Sequence, residues 1–262
     1  MRRPAAVAGT FYPDDAERLK RQIDAFLAEA MLDVGSDPIR PKAIIAPHAG
    51  TIYSGPIAAS AYATVDPGVR RVVLLGPAHR VALHGIAAST AEAFETPLGS
   101  IPLDRTMLDE LVSVFPFVVA DDAAHAEEHS IELQLPFLQR CVNTFQLVPL
   151  VVGRASEEEV AAVLSAVWGG EETLVVCSTD LSHFHSDAEA RRIDTETADM
   201  ILQGKASLID GERACGYVGL RGLLRRVASE RLDVSMVDLR NSSDTAGDRR
   251  RVVGYASFVV TP

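Results

Sequence analysis

Three apolar runs in this chain each end on a histidine. Ala43-Ile44-Ile45-Ala46 passes through Pro47 to His48, and Arg71-Val72-Val73-Leu74-Leu75-Gly76-Pro77-Ala78 leads to His79. Thr173-Leu174-Val175-Val176-Cys177-Ser178-Thr179 leads to Asp180 and His183. Short, continuous apolar runs closed by Gly, Pro or other turn residues read as buried strands. In open α/β sheets, ligands bind beyond the carboxyl ends of such strands. The runs therefore predict one common rim that carries three imidazoles.

Helical periodicity fills the intervals. Asp14 or Asp15 caps a helix whose apolar positions are Leu19, Ile23, Phe26 and Leu27. Residues 35–41 read as a turn-rich loop. Residues 57–63 read as a helix with Pro56 in its first turn. A strand over 85–89 and a turn within 96–103 predict an antiparallel edge. Helices are expected over 105–114, 157–167, 187–202 and 220–228, and strands over 147–152, 232–239 and 252–260. In the stretch from Asp121 to Leu138, Ile131, Leu135 and Leu138 share a helical face, with His129 and Glu132 near a helix start. No solenoid repeat appears. The expectation is an α/β fold in a single domain, residues 1–262, with a mixed, mostly parallel sheet and helices on both faces.

A net charge of -11 argues against nucleic acid as a partner, because binding phosphates needs a basic face. Arg249-Arg250-Arg251 reads as a solvated turn before a strand. Cys141, Cys177 and Cys215 are too few and too widely spaced for a disulfide framework, so a reducing compartment is expected. The first ten residues are too broken in pattern for a signal-peptide core, and no run reaches the roughly 18 apolar residues of a membrane span. A cytoplasmic protein with no membrane partner is the expectation.

A transition metal needs imidazoles and an anionic donor converging from several elements. His48, His79, Asp180, His183 and Cys215 are the residues available, but neither Cys-x-x-Cys nor His-Glu-x-x-His is present. Spacing alone leaves a metal site and structural histidines as equal alternatives. His84, His125 and His185 read as solvated, and Cys141 and Cys177 as small core residues. Cys215 precedes a helix start, a position that lowers a thiol pKa. A hydrolase would need Ser130, Ser178 or Ser182 as nucleophile beside His129 or His183, yet no Gly-x-Ser-x-Gly frames them. A dinucleotide site lacks its Gly-x-Gly-x-x-Gly.

Taken together, Ala43 to Gly50 (AIIAPHAG), Leu75 to His79 (LGPAH), Glu128 to Leu135 (EHSIELQL), Ser178 to His183 (STDLSH), Cys215-Gly216 and Val253-Gly254-Tyr255-Ala256 resemble the Memo family in order along nearly the whole chain. Its prokaryotic branch is called AmmeMemoRadiSam system protein B. The resemblance implies a fold like that of the class III extradiol dioxygenases, which hold non-haem Fe(II) with two histidines and a carboxylate. It implies His48, His79 and Cys215 as metal ligands, with thiolate in place of carboxylate. It further implies His183 as the acid/base group, with Asp180 orienting it, and His129 as a pocket group. A His-His-thiolate set suits iron(II) or copper, with zinc as an alternative. The implied activity is redox or dioxygen-linked chemistry on a small substrate. The alternative is a binding module whose pocket takes a peptide, a metal or a radical-SAM partner.

Overall fold

The computed structural model describes residues 1–32 and 40–262. Of the turn-rich stretch expected at 35–41, only residues 40 and 41 fall within that description. In chain order the strands begin with β1 (Arg2–Arg3), β2 (Ala43–Ala46), β3 (Arg71–Pro77), β4 (Ile86–Ala88), β5 (Ala93–Thr96) and β6 (Gly99–Pro102). They continue with β7 (Val118–Ala120), β8 (Gln146–Val152), β9 (Thr173–Ser178), β10 (His183–His185), β11 (Asp233–Asn241) and β12 (Val252–Thr261). The helices begin with α1 (Ala16–Met31), α2 (Thr51–Tyr62), α3 (Arg105–Val114), α4 (Ala123–Ala126) and α5 (His129–Glu132). They continue with α6 (Leu135–Cys141), α7 (Glu157–Val167), α8 (Asp187–Leu202) and α9 (Tyr217–Glu230).

The main sheet runs β10-β12-β2-β9-β3-β8-β4-β7, and β11 pairs with β12 on its other side. Its centre, β2-β9-β3-β8, is parallel. Antiparallel pairing enters on the flanks through β12 against β2, β11 and β10 against β12, and β4 against β8. Central parallel strands are covered on both faces and so read as unbroken apolar runs. β2 and β9 are buried throughout, and β3 is buried from its second residue on. The antiparallel edge expected after β3 divides in two. β4 joins the main sheet, while β5 and β6 form a hairpin in a small sheet with β1.

Helices flank the sheet in two groups. On one side α1 packs on α2 and α6; on the other α7 packs on α9, which also touches β3 and β9. Asp15 caps α1 by accepting from the Arg18 amide, and Leu19, Ile23 and Leu27 are its buried stripe. Ser156 and Glu159 form a reciprocal capping box on α7. α2 departs from expectation: it begins at Thr51, so Pro56 lies inside it rather than in its first turn. A proline there removes one amide from the ladder. Burial of Ile57, Ala58, Ala59, Ala61 and Tyr62 outweighs that loss.

The registers set the exits level. Ala46 pairs with Ser178 and Leu75 with Cys177, so β2, β9 and β3 finish side by side. His48, Asp180 and His79 leave these three neighbouring strands in that order. No helix among the described residues is long and apolar enough to cross a membrane.

Candidate metal centre

His48 is 1% exposed, and it is held by its amide and by both ring nitrogens. Its amide donates to Asp180 Oδ1 at 2.7 Å, its Nδ1 lies 2.8 Å from Ser178 Oγ, and its Nε2 is 3.3 Å from Cys215 Sγ. Burial lowers its pKa to about 4, so the ring is neutral and able to act as a ligand.

His79 is gripped by one carboxylate. Its amide donates to Glu128 Oε2 at 2.6 Å, and its Nδ1–H donates to Oε1 at 2.9 Å, leaving Nε2 bare. Glu128 is 1% exposed and also caps α5 through the Ser130 amide. Burial pushes its pKa up, but the adjacent His129 ring and the hydrogen bonds from His79 and the Ser130 amide outweigh this and hold the carboxyl well below the usual range. A carboxylate behind an imidazole fixes the ring and raises its basicity, as around metal ligands generally.

His129 completes the cluster from the first turn of α5. Its Nδ1 lies 3.3 Å from Glu128 Oε1 without hydrogen-bond alignment, and that buried nitrogen has no hydrogen-bond partner among the described residues. The ring centroids of His48, His79 and His129 stand 5.2, 5.5 and 4.6 Å apart pairwise. One ligand atom from each of the three lies within 4.8 Å of the others, so this group could hold a metal ion.

Cys215 stands outside that three-member set and touches it through His48. Its Sγ accepts from the Asp180 amide at 3.3 Å. The helix-start argument for an acidic thiol is overturned: burial, reinforced by the Asp180 charge, pushes the Cys215 pKa up to about 12. Two donors on one ion, at about 2.1 Å for nitrogen and 2.3 Å for sulfur, stand roughly 3.3–3.6 Å apart, so the observed separation fits shared ligation.

Asp180 is 4% exposed, and its carboxylate engages the His48 amide rather than the ring of His183. The His183 ring is oriented instead by its Nδ1–H, which donates to Leu181 O at 2.8 Å. The next residue, Phe184, adopts φ 65°, uncommon for a bulky side chain, and Arg251 lies 4.4 Å over its ring. Arg249, Arg250 and Arg251 are exposed. Ser178 is buried and donates to Ser130 O at 2.6 Å, so it is no free nucleophile.

Behind this loop sits Asp194 of α8, which accepts from the Ser182 amide at 3.0 Å. Gly254 exchanges main-chain hydrogen bonds with Leu181 and Ser182, and a Cβ on it would meet Asp194 Oδ2 at 1.9 Å. The Asp194 pKa is raised from 3.8 to about 6, chiefly by burial. A raised carboxyl favours the fold below its unfolded pKa, and that contribution is lost as pH climbs through about 4 to 6. Asp194→Asn is therefore expected to gain on the parent by about 2 kcal/mol between pH 4 and pH 8, read from urea midpoints at both pH values. An unchanged gap would contradict the burial account.

His125 corrects a second expectation. It is 2% exposed rather than solvated, its Nε2–H donates to Ala87 O at 3.1 Å, and burial lowers its pKa to about 4. The fold enclosed it because α4 packs between the amino-terminal segment and β4; Arg3 Nε donates to the His125 carbonyl. His84 is exposed and His185 half-buried. Glu128 and Gln134 are not singled out as site residues by the sequence, and Ser178 enters there only as a candidate nucleophile. Gln134 carries a signal, a polar residue inside the apolar run Leu133-Gln134-Leu135, whereas Glu128 sits in the polar stretch Glu127-Glu128-His129-Ser130 and carries none.

The arrangement defines a class: an α/β protein with convergent imidazoles at the carboxyl ends of its central parallel strands, able to hold a metal ion. The model of the Memo-like protein family matches residues 3–259, and the chain belongs to the Memo family. Among its relatives, a MEMO1 family protein of Aquifex aeolicus is 34% identical, with 98% of each chain covered. Those of Methanobrevibacter smithii and Methanosarcina mazei are 36% and 35% identical, each with 99% of both chains covered.

Proposed function

We propose that this protein is a non-haem, dioxygenase-like redox protein holding iron or copper on His48, His79 and Cys215, with His129 closing the imidazole set. The observation that carries the reading is the convergence of three imidazoles within 4.8 Å, with the Cys215 thiol 3.3 Å from His48. Imidazole and thiolate together suit copper, iron and zinc better than hard oxygen-seeking cations. A bound iron or copper ion supplies one-electron chemistry and a Lewis-acid position for a small molecule.

The chain's own residues do the rest. Burial of His48, Glu128 and Asp180 excludes water and keeps His48 neutral. Glu128 holds His79 through two hydrogen bonds. His183 spends Nδ1–H on Leu181 O and keeps Nε2 to take or return a proton. A cavity of about 290 Å³, lined by Pro77, Ala78, Val152, Arg154, Cys215 and Tyr217, reaches the proposed centre through Cys215 alone, and none of the imidazoles lines it.

The test is elemental mass spectrometry on protein purified without oxygen. Near-stoichiometric iron or copper is expected; zinc alone would overturn the redox reading. Metal-free protein that takes up neither Fe(II) nor Cu(I) would favour a module binding a peptide or a radical-SAM partner. His183→Ala should keep its metal and lose turnover. Ligation by Cys215 should release the thiol proton and produce a sulfur-to-metal absorption band, both absent in Cys215→Ala.

A further inference from the structure

His48 carries two nitrogens, and which of them bears the proton decides whether the ring presents a lone pair or an N–H to the neighbouring imidazoles and to Cys215. A buried chain of polar side chains, running from Tyr62 through Gln134 to Ser178 behind the ring, settles the choice. Tyr62 OH donates to Gln134 Oε1 at 2.8 Å. Gln134 Nε2 donates to Pro47 O and to Ser178 Oγ, each at 2.9 Å. Ser178 Oγ donates to Ser130 O at 2.6 Å and lies 2.8 Å from His48 Nδ1. Tyr62 and Gln134 are fully buried and Ser178 is 1% exposed.

The protons can be followed one at a time. Pro47 O is a carbonyl and only accepts, so the Gln134 amide must turn its nitrogen toward it and its oxygen toward Tyr62. One Gln134 N–H serves Pro47 O, and the other serves Ser178 Oγ. The single Ser178 proton points to Ser130 O, since two bare acceptors at 2.6 Å would repel. What remains on Ser178 Oγ is one lone pair, facing His48 Nδ1. Only a ring with its proton on Nδ1 satisfies it.

We infer that Ser178, oriented by Gln134 and Tyr62, is a positioning residue that holds His48 as the Nδ1–H tautomer and leaves the Nε2 lone pair facing Cys215 and the imidazole cluster. The link to metal uptake rests on the proposed centre; the tautomer assignment stands without it. The device matches Glu128 behind His79 in purpose but uses neutral groups, so it adds no charge beside the fully buried ring. A serine hydroxyl alone could rotate. The amide and the phenol remove that freedom.

The experiment is nitrogen-15 NMR on metal-free protein with labelled histidine, the His48 signals being assigned by their loss in His48→Gln. A protonated Nδ1 in the wild type is expected. In Ser178→Ala and Gln134→Met that tautomer should mix with the Nε2–H form, and Fe(II) or Cu(I) uptake should weaken by about 10- to 100-fold. Tyr62→Phe should show a smaller change in the same direction. A wild-type His48 protonated on Nε2 would overturn the inference. Unchanged tautomer and uptake in folded Ser178→Ala and Gln134→Met would overturn the positioning role. If the wild type shows Nδ1–H yet takes up no metal, the tautomer assignment is upheld and the proposed centre fails instead.

Discussion

Replacing His48 or His79 by alanine should abolish metal retention, with a loss exceeding the about 10- to 100-fold that an outer partner costs. His48→Ala removes a neutral ring lodged between Ser178 and Cys215, and no other imidazole among the described residues can take its place from the exit of β2. His79→Ala frees Glu128, a buried carboxylate that loses its Nδ1–H donor while keeping the amides of residues 79 and 130. His129→Ala and Cys215→Ala should each weaken retention further than Ser178→Ala. The control is His84→Ala, an exposed side chain away from the cluster, which should keep wild-type metal content. The readout is bound metal per chain after desalting. Full retention in both His48→Ala and His79→Ala would remove the centre from consideration.

Glu132→Gln should cost about 3–5 kcal/mol of stability, because it breaks a buried ion pair and leaves its partner uncompensated. Glu132 is fully buried and accepts from Arg3 Nη1 at 2.6 Å, from the amides of Ala6 and Val7, and from Tyr12 OH. A glutamine offers one acceptor oxygen and an NH2 group that would face donors. Arg3, 6% exposed, also donates to the carbonyls of His125 and Glu128, so this network staples the amino-terminal segment onto the residues beside His129. Phe11 of that segment packs its ring 4.9 Å from His129. Glu132→Gln should therefore also weaken metal uptake while some of the protein remains folded. The contrasting pair Arg2–Glu95 is exposed, 68% and 39%, and Arg2→Ala should cost no more than about 1 kcal/mol. Urea unfolding of the two variants reads the difference, and equal midpoints would refute it.

Much of the architecture was legible because the informative elements are long or strongly patterned. α3, α7 and α8 have the bounds that periodicity predicts, and the three histidine-ending runs are the adjacent strands β2, β3 and β9. The short strands β1, β7 and β10 left no such trace. Two or three residues carry no period, and they become strands only through pairing with β5, β4 and β12. Pro56 misplaced the start of α2 because local propensity counts a proline as a boundary, whereas packing of the small-residue face onto the sheet decides it.

The site divides along the same line. Sequence determined which chemical groups reach the rim, since a buried strand must end on turn residues and those ends carry His48, His79 and Asp180. Only the tertiary structure decided what those groups are there. It placed Glu128 behind His79 and brought His129 within reach of both other imidazoles. It half-buried Cys215 beside Asp180 so that its thiol is raised rather than acidic, and it enclosed His125. The physical reason is that ionisation and ligation depend on distance and desolvation, and both are set by contacts between residues far apart in the chain, which no local pattern encodes.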